Sequence, residues 1–220
     1  MSKPSPRAAK AEVLREYGPF PGADRVGGVT FDGQRAWFAA GSHLQAFDPE
    51  TGAAGERLPV AADAGTAFDG KHLFQITGQT IQKLDAKTGQ VIAKIPAPGK
   101  GRDSGLAWAE GMLWVGQYHD RKIYGVDPKS GEILKTIESD RLVTGVSWVE
   151  GELWHATWEN DQSELRRVEP ETGEVLERLE MPSGMFVSGL ESDGGERFFC
   201  GGGGSGKVRA VRRPKKRQTF

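Results

Sequence analysis

Short runs of alternating apolar and polar residues, each bounded by glycine, proline or aspartate, recur along the chain from Val13 to Val211. One group comprises Leu106-Ala-Trp-Ala, Met112-Leu-Trp-Val-Gly-Gln, Lys122-Ile-Tyr-Gly-Val and Ile133-Leu-Lys-Thr-Ile. A period of two over such short runs marks β-strands, and the three-to-four spacing of an amphipathic helix is missing. This group therefore predicts an inner strand over 104–110, a second over 112–117, a third over 122–127 and an outer one over 133–137.

The same grouping returns five times. Gly28-Val-Thr-Phe31-Asp-Gly, Gly65-Thr-Ala-Phe68-Asp-Gly, Gly105-Leu-Ala-Trp108-Ala-Glu-Gly, Gly145-Val-Ser-Trp148-Val-Glu-Gly and Gly189-Leu-Glu-Ser192-Asp-Gly share one register, at steps of 37, 40, 40 and 44 residues. A period near 40 with several strands per copy predicts an all-β, five-bladed β-propeller, one copy per blade. Blades should begin near 27, 64, 104, 144 and 188. Trp37, Phe74, Trp114, Trp154 and Phe198 stand at one register of the second strand and read as packing between blades. Asp48-Pro-Glu-Thr-Gly52 and its counterparts at Asp85, Asp127 and Glu169 are tight turns, where proline presets φ and glycine accepts a positive one.

The fifth copy has no outer strand after Val211. Glu12-Val-Leu-Arg-Glu-Tyr17 resembles the outer strands of the third and fourth copies, so residues 12–17 are expected to complete the last blade and tie the ring shut. The expected organisation is a flexible N-terminus over 1–11, a single propeller over 12–213 and a flexible basic tail over 214–220.

Composition narrows the partners. Lys and Arg total 29 against 30 Asp and Glu, which leaves no basic field for nucleic acid. No apolar run is long enough to cross a bilayer, so no membrane is expected. A lone cysteine, Cys200, cannot form an internal disulfide and fits a reducing, cytoplasmic setting. The expected form is a monomer whose partner is a small molecule or a peptide. The four histidines lack metal-ligand spacing, so no metal is expected. Gly201-Gly-Gly-Gly-Ser-Gly206 lacks the lysine and helix of a phosphate loop, and no cofactor is named by the sequence.

In a propeller the loops entering the inner strands form one mouth of the channel, where convergent polar groups would make a ligand site. Directly before the register glycines stand Gly27, Ala64, Ser104, Thr144 and Ser188. Asp63 and Asp103 repeat one position further out, with Arg25, Arg102 and Arg141 nearby. These are either ion-paired loop residues or a rim that recognises an anion or amine. Glu191 replaces the small inner-strand residues Thr30, Ala67, Ala107 and Ser147, and is a candidate acid or base of raised pKa. Catalytic candidates are thus Glu191, Asp63, Asp103 and His155. Gln117, Tyr118, His155 and Trp158 fall on neighbouring blades three and four as a candidate ligand cradle.

Gly151-Glu-Leu-Trp-His-Ala-Thr-Trp158-Glu-Asn-Asp161, followed by Arg166-Arg-Val-Glu-Pro-Glu-Thr-Gly-Glu-Val175, resembles the glutamine cyclotransferase family, the five-bladed glutaminyl cyclases of plants and bacteria. Phe186-Val-Ser-Gly-Leu-Glu-Ser-Asp193 is similar to a blade start of that family, and other matches are shared with the virginiamycin B lyase-like group. The resemblance implies a five-bladed fold with a channel-mouth pocket, Trp158 lining that pocket and Phe186 at its rim. It also implies a catalytic glutamate directly before one register glycine. No copy here has an acid at that position, and Ser188 and Thr144 replace the family's glutamine and asparagine. Cyclisation of an N-terminal glutamine is therefore expected to be absent or very slow. The functional expectation is a propeller that binds a small polar ligand or a peptide end. An enzyme using a channel carboxylate and a protein-interaction scaffold are the alternatives.

Overall fold

The computed structural model describes residues 6–216. It is all-β, with five sheets in a ring, each built on four antiparallel strands. From the centre outward, blade 1 runs Val29–Phe31, Ala36–Ala39, Leu44–Phe47, Ala54–Leu58, and blade 2 runs Thr66–Phe68, His72–Thr77, Thr80–Asp85, Val91–Pro96. Blade 3 comprises Asp103–Ala109, Met112–Gln117, Lys122–Val126 and Ile133–Glu138; blade 4 comprises Leu142–Val149, Glu152–Glu159, Gln162–Val168 and Val175–Glu180. In blade 5, Gly189–Ser192, Arg197–Gly201 and Val208–Arg212 are completed by Val13–Tyr17, antiparallel to Val208–Arg212. The N-terminal closure expected from the repeat is therefore formed.

The register glycines have a steric reason. A Cβ on Gly28 would stand 2.5 Å from Gly65 Cα, one on Gly65 2.5 Å from Leu106 N, and one on Gly105 2.6 Å from Val146 N. The same clash runs from Gly145 to Leu190 N at 2.6 Å and from Gly189 to the Gly27 carbonyl at 2.7 Å. Neighbouring inner strands thus meet backbone to backbone at five glycines, where any side chain would force the ring open.

Outside this ring the blades are joined by aromatic packing. In blades 3 and 4 the fourth residue of the inner-strand repeat covers the second-strand aromatic of the preceding blade: Trp108 stacks on Phe74 with centroids 5.3 Å apart, and Trp148 on Trp114 at 5.1 Å. At the closing interface Phe31 lies 5.8 Å from Phe199, not Phe198. This corrects the expected register. Glu191 pairs with Phe199, whereas Ser147 pairs with Trp154 and Thr30 with Trp37, so the hairpin of blade 5 holds one extra residue. Because successive side chains point to opposite faces, Phe198 turns towards blade 4. There it packs 5.0 Å from Trp154, covering the face that Ser192, which has no ring, cannot cover.

Residues 7–11, expected to lie free of the propeller, are part of it. Arg7–Lys10 pairs in parallel with Val175–Glu180 as a fifth strand on blade 4, and the Ala11 amide donates to the Glu180 carbonyl at 2.8 Å. Arg7 approaches Glu177 at 3.6 Å and Lys10 pairs with Glu180. At the other end Lys215 pairs with Glu196 at 3.4 Å, and Lys216 donates to the Glu150 carbonyl at 2.6 Å. The expected flexibility of 1–5 and 217–220 lies outside the described residues.

Candidate functional site

At one end of the channel the five residues before the register glycines, Gly27, Ala64, Ser104, Thr144 and Ser188, border a single cavity of about 320 Å³. Its wall is completed by Arg25, Asp63, Asp103, Tyr118 and Phe186 among others. The convergence expected at a propeller mouth is therefore present. It follows from topology, because each loop that crosses from an outer strand to the next inner strand must arrive at the same end.

Asp103 is the most constrained group there. It is only 7 % exposed, and its Oδ1 accepts from Gln117 Nε2 at 3.0 Å and from the Gly99 amide at 3.0 Å. Burial pushes its carboxyl above the usual carboxylate range, against the pull of these two donors. The Gln117 amide fills the space a Cβ on Gly99 would need, at 1.2 Å, so the loop over 97–102 folds onto the acid only because residue 99 is glycine. Gln117 is thus fully buried behind Asp103 and supports it instead of lining the cavity.

The hydroxyls of the rim differ in what they have left to offer. Ser104 Oγ donates to the Val143 carbonyl at 2.7 Å, and Ser188 Oγ donates to the Val26 carbonyl at 2.6 Å while accepting from the Gly203 amide at 3.1 Å. Thr144 Oγ1 has no partner among the described residues, although the residue is 2 % exposed. Asp63 Oδ2 accepts from Thr77 Oγ1 and the Gly78 amide, both at 3.0 Å. Arg25 is exposed and donates to the Asp63 carbonyl at 3.4 Å.

Two aromatic candidates meet. Trp158 packs edge to face on Phe186 at 5.1 Å, and Phe186 in turn lies over Gly203, where a Cβ would sit 2.7 Å from its ring. The glycine loop after Cys200 therefore serves as the floor for a mouth aromatic. Cys200 itself is buried, and its thiol is pushed up to about 12 by burial.

Other candidates lie elsewhere. His155 and Trp158, expected to act together, are three residues apart on one strand and so face opposite ways. His155 is 1 % exposed, its Nδ1 has no partner among the described residues, and it borders a separate cavity with Asp140 and Val175. Burial, then the nearby Arg166, lower its pKa to about 3, so it is a neutral imidazole in a blade interface. Arg141 pairs with Glu164 at 2.9 Å and donates to the Glu159 and Gln162 carbonyls at 2.9 and 2.7 Å. It clamps blade 4; its one unpartnered donor, Nε, is buried, and the residue does not line the cavity. Arg102 is exposed and outside the cavity lining. Glu191 lies beyond the glycine ring, at the level of Thr30 and Ser147, and accepts from Thr30 Oγ1 at 3.2 Å, Ser147 Oγ at 2.8 Å and the Ser192 amide at 2.8 Å. Burial raises its pKa to about 7 despite those donors. Thr144, the group with an unspent hydroxyl, was legible only as a small rim residue.

Neither a protein-family model nor a curated relative matches the sequence. Among solved structures, the chain is similar to the glutaminyl cyclase of Myxococcus xanthus, with a TM-score of 0.75 and 19% identity over 94% of this chain and 98% of that one. A chain of hydrazine synthase from Kuenenia stuttgartiensis gives a TM-score of 0.52 at 16% identity, over 81% of this chain and 55% of that one. A chain of a mitotic checkpoint complex gives 0.53 at 15%, over 87% and 62%. At these identities the likeness is one of fold, and the five-bladed, glutaminyl cyclase-like propeller is what it establishes.

Proposed function

We propose that the protein is a binding propeller whose channel mouth holds a small polar ligand or the end of a peptide. One observation carries this reading: five separate blades converge on one cavity that contains a buried acid, an unpartnered buried hydroxyl and an aromatic wall. Such a concave, mostly apolar site with a few polar groups is the usual form of a ligand pocket. The fold shared with a glutaminyl cyclase supports the location of the site. It does not extend to that reaction, because the position before each register glycine offers Gly27, Ala64, Ser104, Thr144 and Ser188, none of which carries a carboxyl to act as general acid or base.

The test is mass spectrometry of small molecules released from purified protein, repeated on Phe186→Ala. The expected outcome is an enriched compound that the variant loses while its melting temperature stays close to that of the parent. A Gln-initiated peptide should be left uncyclised. An empty parent protein, or a compound retained by the variant, sinks the assignment to the mouth.

A further inference from the structure

We propose that the mouth selects a primary ammonium carried on an apolar body, with the ammonium seated between Asp103 and Thr144. The inference rests on the mouth being a binding site and adds the chemical class of what binds. Asp103 lines the cavity and is held by two neutral donors, Gln117 and the Gly99 amide. Among the described residues no lysine, arginine or histidine forms an ion pair with it. A carboxylate withdrawn from water without a cation is unfavourable, and proteins resolve this by protonation or by a bound positive charge. Arg25 is the cation on the cavity wall, but it is exposed, contacts a backbone carbonyl and pairs with neither Asp63 nor Asp103.

The remaining polar groups point the same way. Ser104 and Ser188 have already spent their protons on backbone carbonyls, so each can only accept from a ligand, Ser188 with one lone pair already taken by the Gly203 amide. Thr144 Oγ1 is buried, borders the cavity and is unpartnered among the described residues. Asp63 adds a second carboxylate at the rim. The lining therefore has a surplus of acceptors, and its complement is a cation with several N–H donors, which an ammonium supplies. Tyr118 and Phe186 provide ring surface for the attached apolar body and attract cations through their faces. An anionic ligand would meet two carboxylates against one exposed arginine.

The experiment is titration calorimetry on the intact protein with phenethylamine and the dipeptide Ala-Phe. Their N-acetylated forms and 3-phenylpropionate, which has the same ring without an amine, serve as comparisons. The amines should bind, and acetylation or Asp103→Asn should weaken them by about tenfold or more, the usual loss when a charge-assisted hydrogen bond is removed. Asp103→Asn should melt no lower than the parent, since it removes an uncompensated buried charge. Acetylated or anionic probes that bind as tightly as the amines would leave the mouth as a binding site and overturn the ammonium. If no probe binds and the purified protein carries no compound, both readings fall. The ligand series on the parent protein decides the matter even where the variant folds poorly.

Discussion

Glu191 is one acid in a ring position that otherwise holds Thr30, Ala67, Ala107 and Ser147, and its carboxyl ties blade 5 to both neighbours. Its pKa rises from 4.5 to about 7 because burial disfavours the anion more than three donors favour it. The folded state thus binds the proton more tightly than the unfolded one. The stabilisation is complete below pH 4.5 and is lost as pH rises through about 7. His155 acts in the opposite sense: its pKa falls from 6.5 to about 3, so the stability of its neutral form is lost on acidification below pH 6.5. The parent protein's own pH profile mixes the two, and the informative quantity is a difference. Glu191→Gln should melt like the parent near pH 4.5 and progressively above it up to pH 8, with a gain of at most about 3 kcal/mol. A difference that does not change with pH would show that the carboxyl titrates normally.

Single elements in this fold are specified by local chemistry, and their choice of neighbour by a few contacts. In blades 3 and 4 the first hairpin turns on Glu110-Gly111 and Glu150-Gly151, each pair with both φ values positive, from 52° to 77°. Two such residues match the twist of paired strands. In blades 1, 2 and 5 an aspartate caps the turn instead: Asp32, Asp69 and Asp193 accept backbone amides of Arg35, His72 and Arg197. Outer strands are alike in sequence, yet Arg7–Lys10 lies on blade 4, where Glu177 and Glu180 face Arg7 and Lys10. At the corresponding sites blade 3 offers Lys135 and Glu138, and blade 2 offers Ala93 and Pro96. The inner-strand glycines give the sharpest contrast. Gly105→Ala should cost roughly 1–3 kcal/mol, as overpacking does when the obstacle is backbone. Gly204→Ala, with nothing within 4 Å of the new methyl, should be close to neutral. Equal melting of the two variants would remove the steric account of the repeat.

The ring as a whole depends on one joint. Val13–Tyr17 supplies the last strand of blade 5, and Tyr17 reaches on to blade 1, donating to the Pro49 carbonyl at 2.8 Å and packing 4.8 Å from Phe47. Arg15 donates to the Glu50 and Thr51 carbonyls at 2.6 and 2.8 Å, and Arg197 of blade 5 bonds Glu50 at 2.8 Å. Removing residues 1–18 should therefore open the ring, lower the melting temperature sharply and expose an edge that drives self-association. Removing residues 1–11 strips only the extra strand of blade 4, and the protein should remain folded and elute unchanged. Size-exclusion chromatography and thermal melting of both truncations test this. A stable, non-associating 1–18 deletion would mean that closure does not depend on the N-terminal strand.

Much of this was legible in the sequence because it is written once per copy. Strand period, turn residues and the glycine at each inner strand act over a few residues, so five aligned copies expose them, and the mismatch of a missing outer strand with a leftover strand at 12–17 exposed the closure. The tertiary structure alone decided what faces what. One extra residue in the last hairpin exchanged Phe198 for Phe199, because a shift of one reverses every side chain. Arg141 and His155 have the residue types of a site, but their partners, Glu164 for the one and an enclosing blade interface for the other, come from segments that meet only in the folded blades. Asp103 became distinctive through burial beside neutral donors with no cation, and Thr144 through a buried hydroxyl that has no partner among the described residues. Both properties depend on where five distant loops stop, and no local pattern along the chain encodes them.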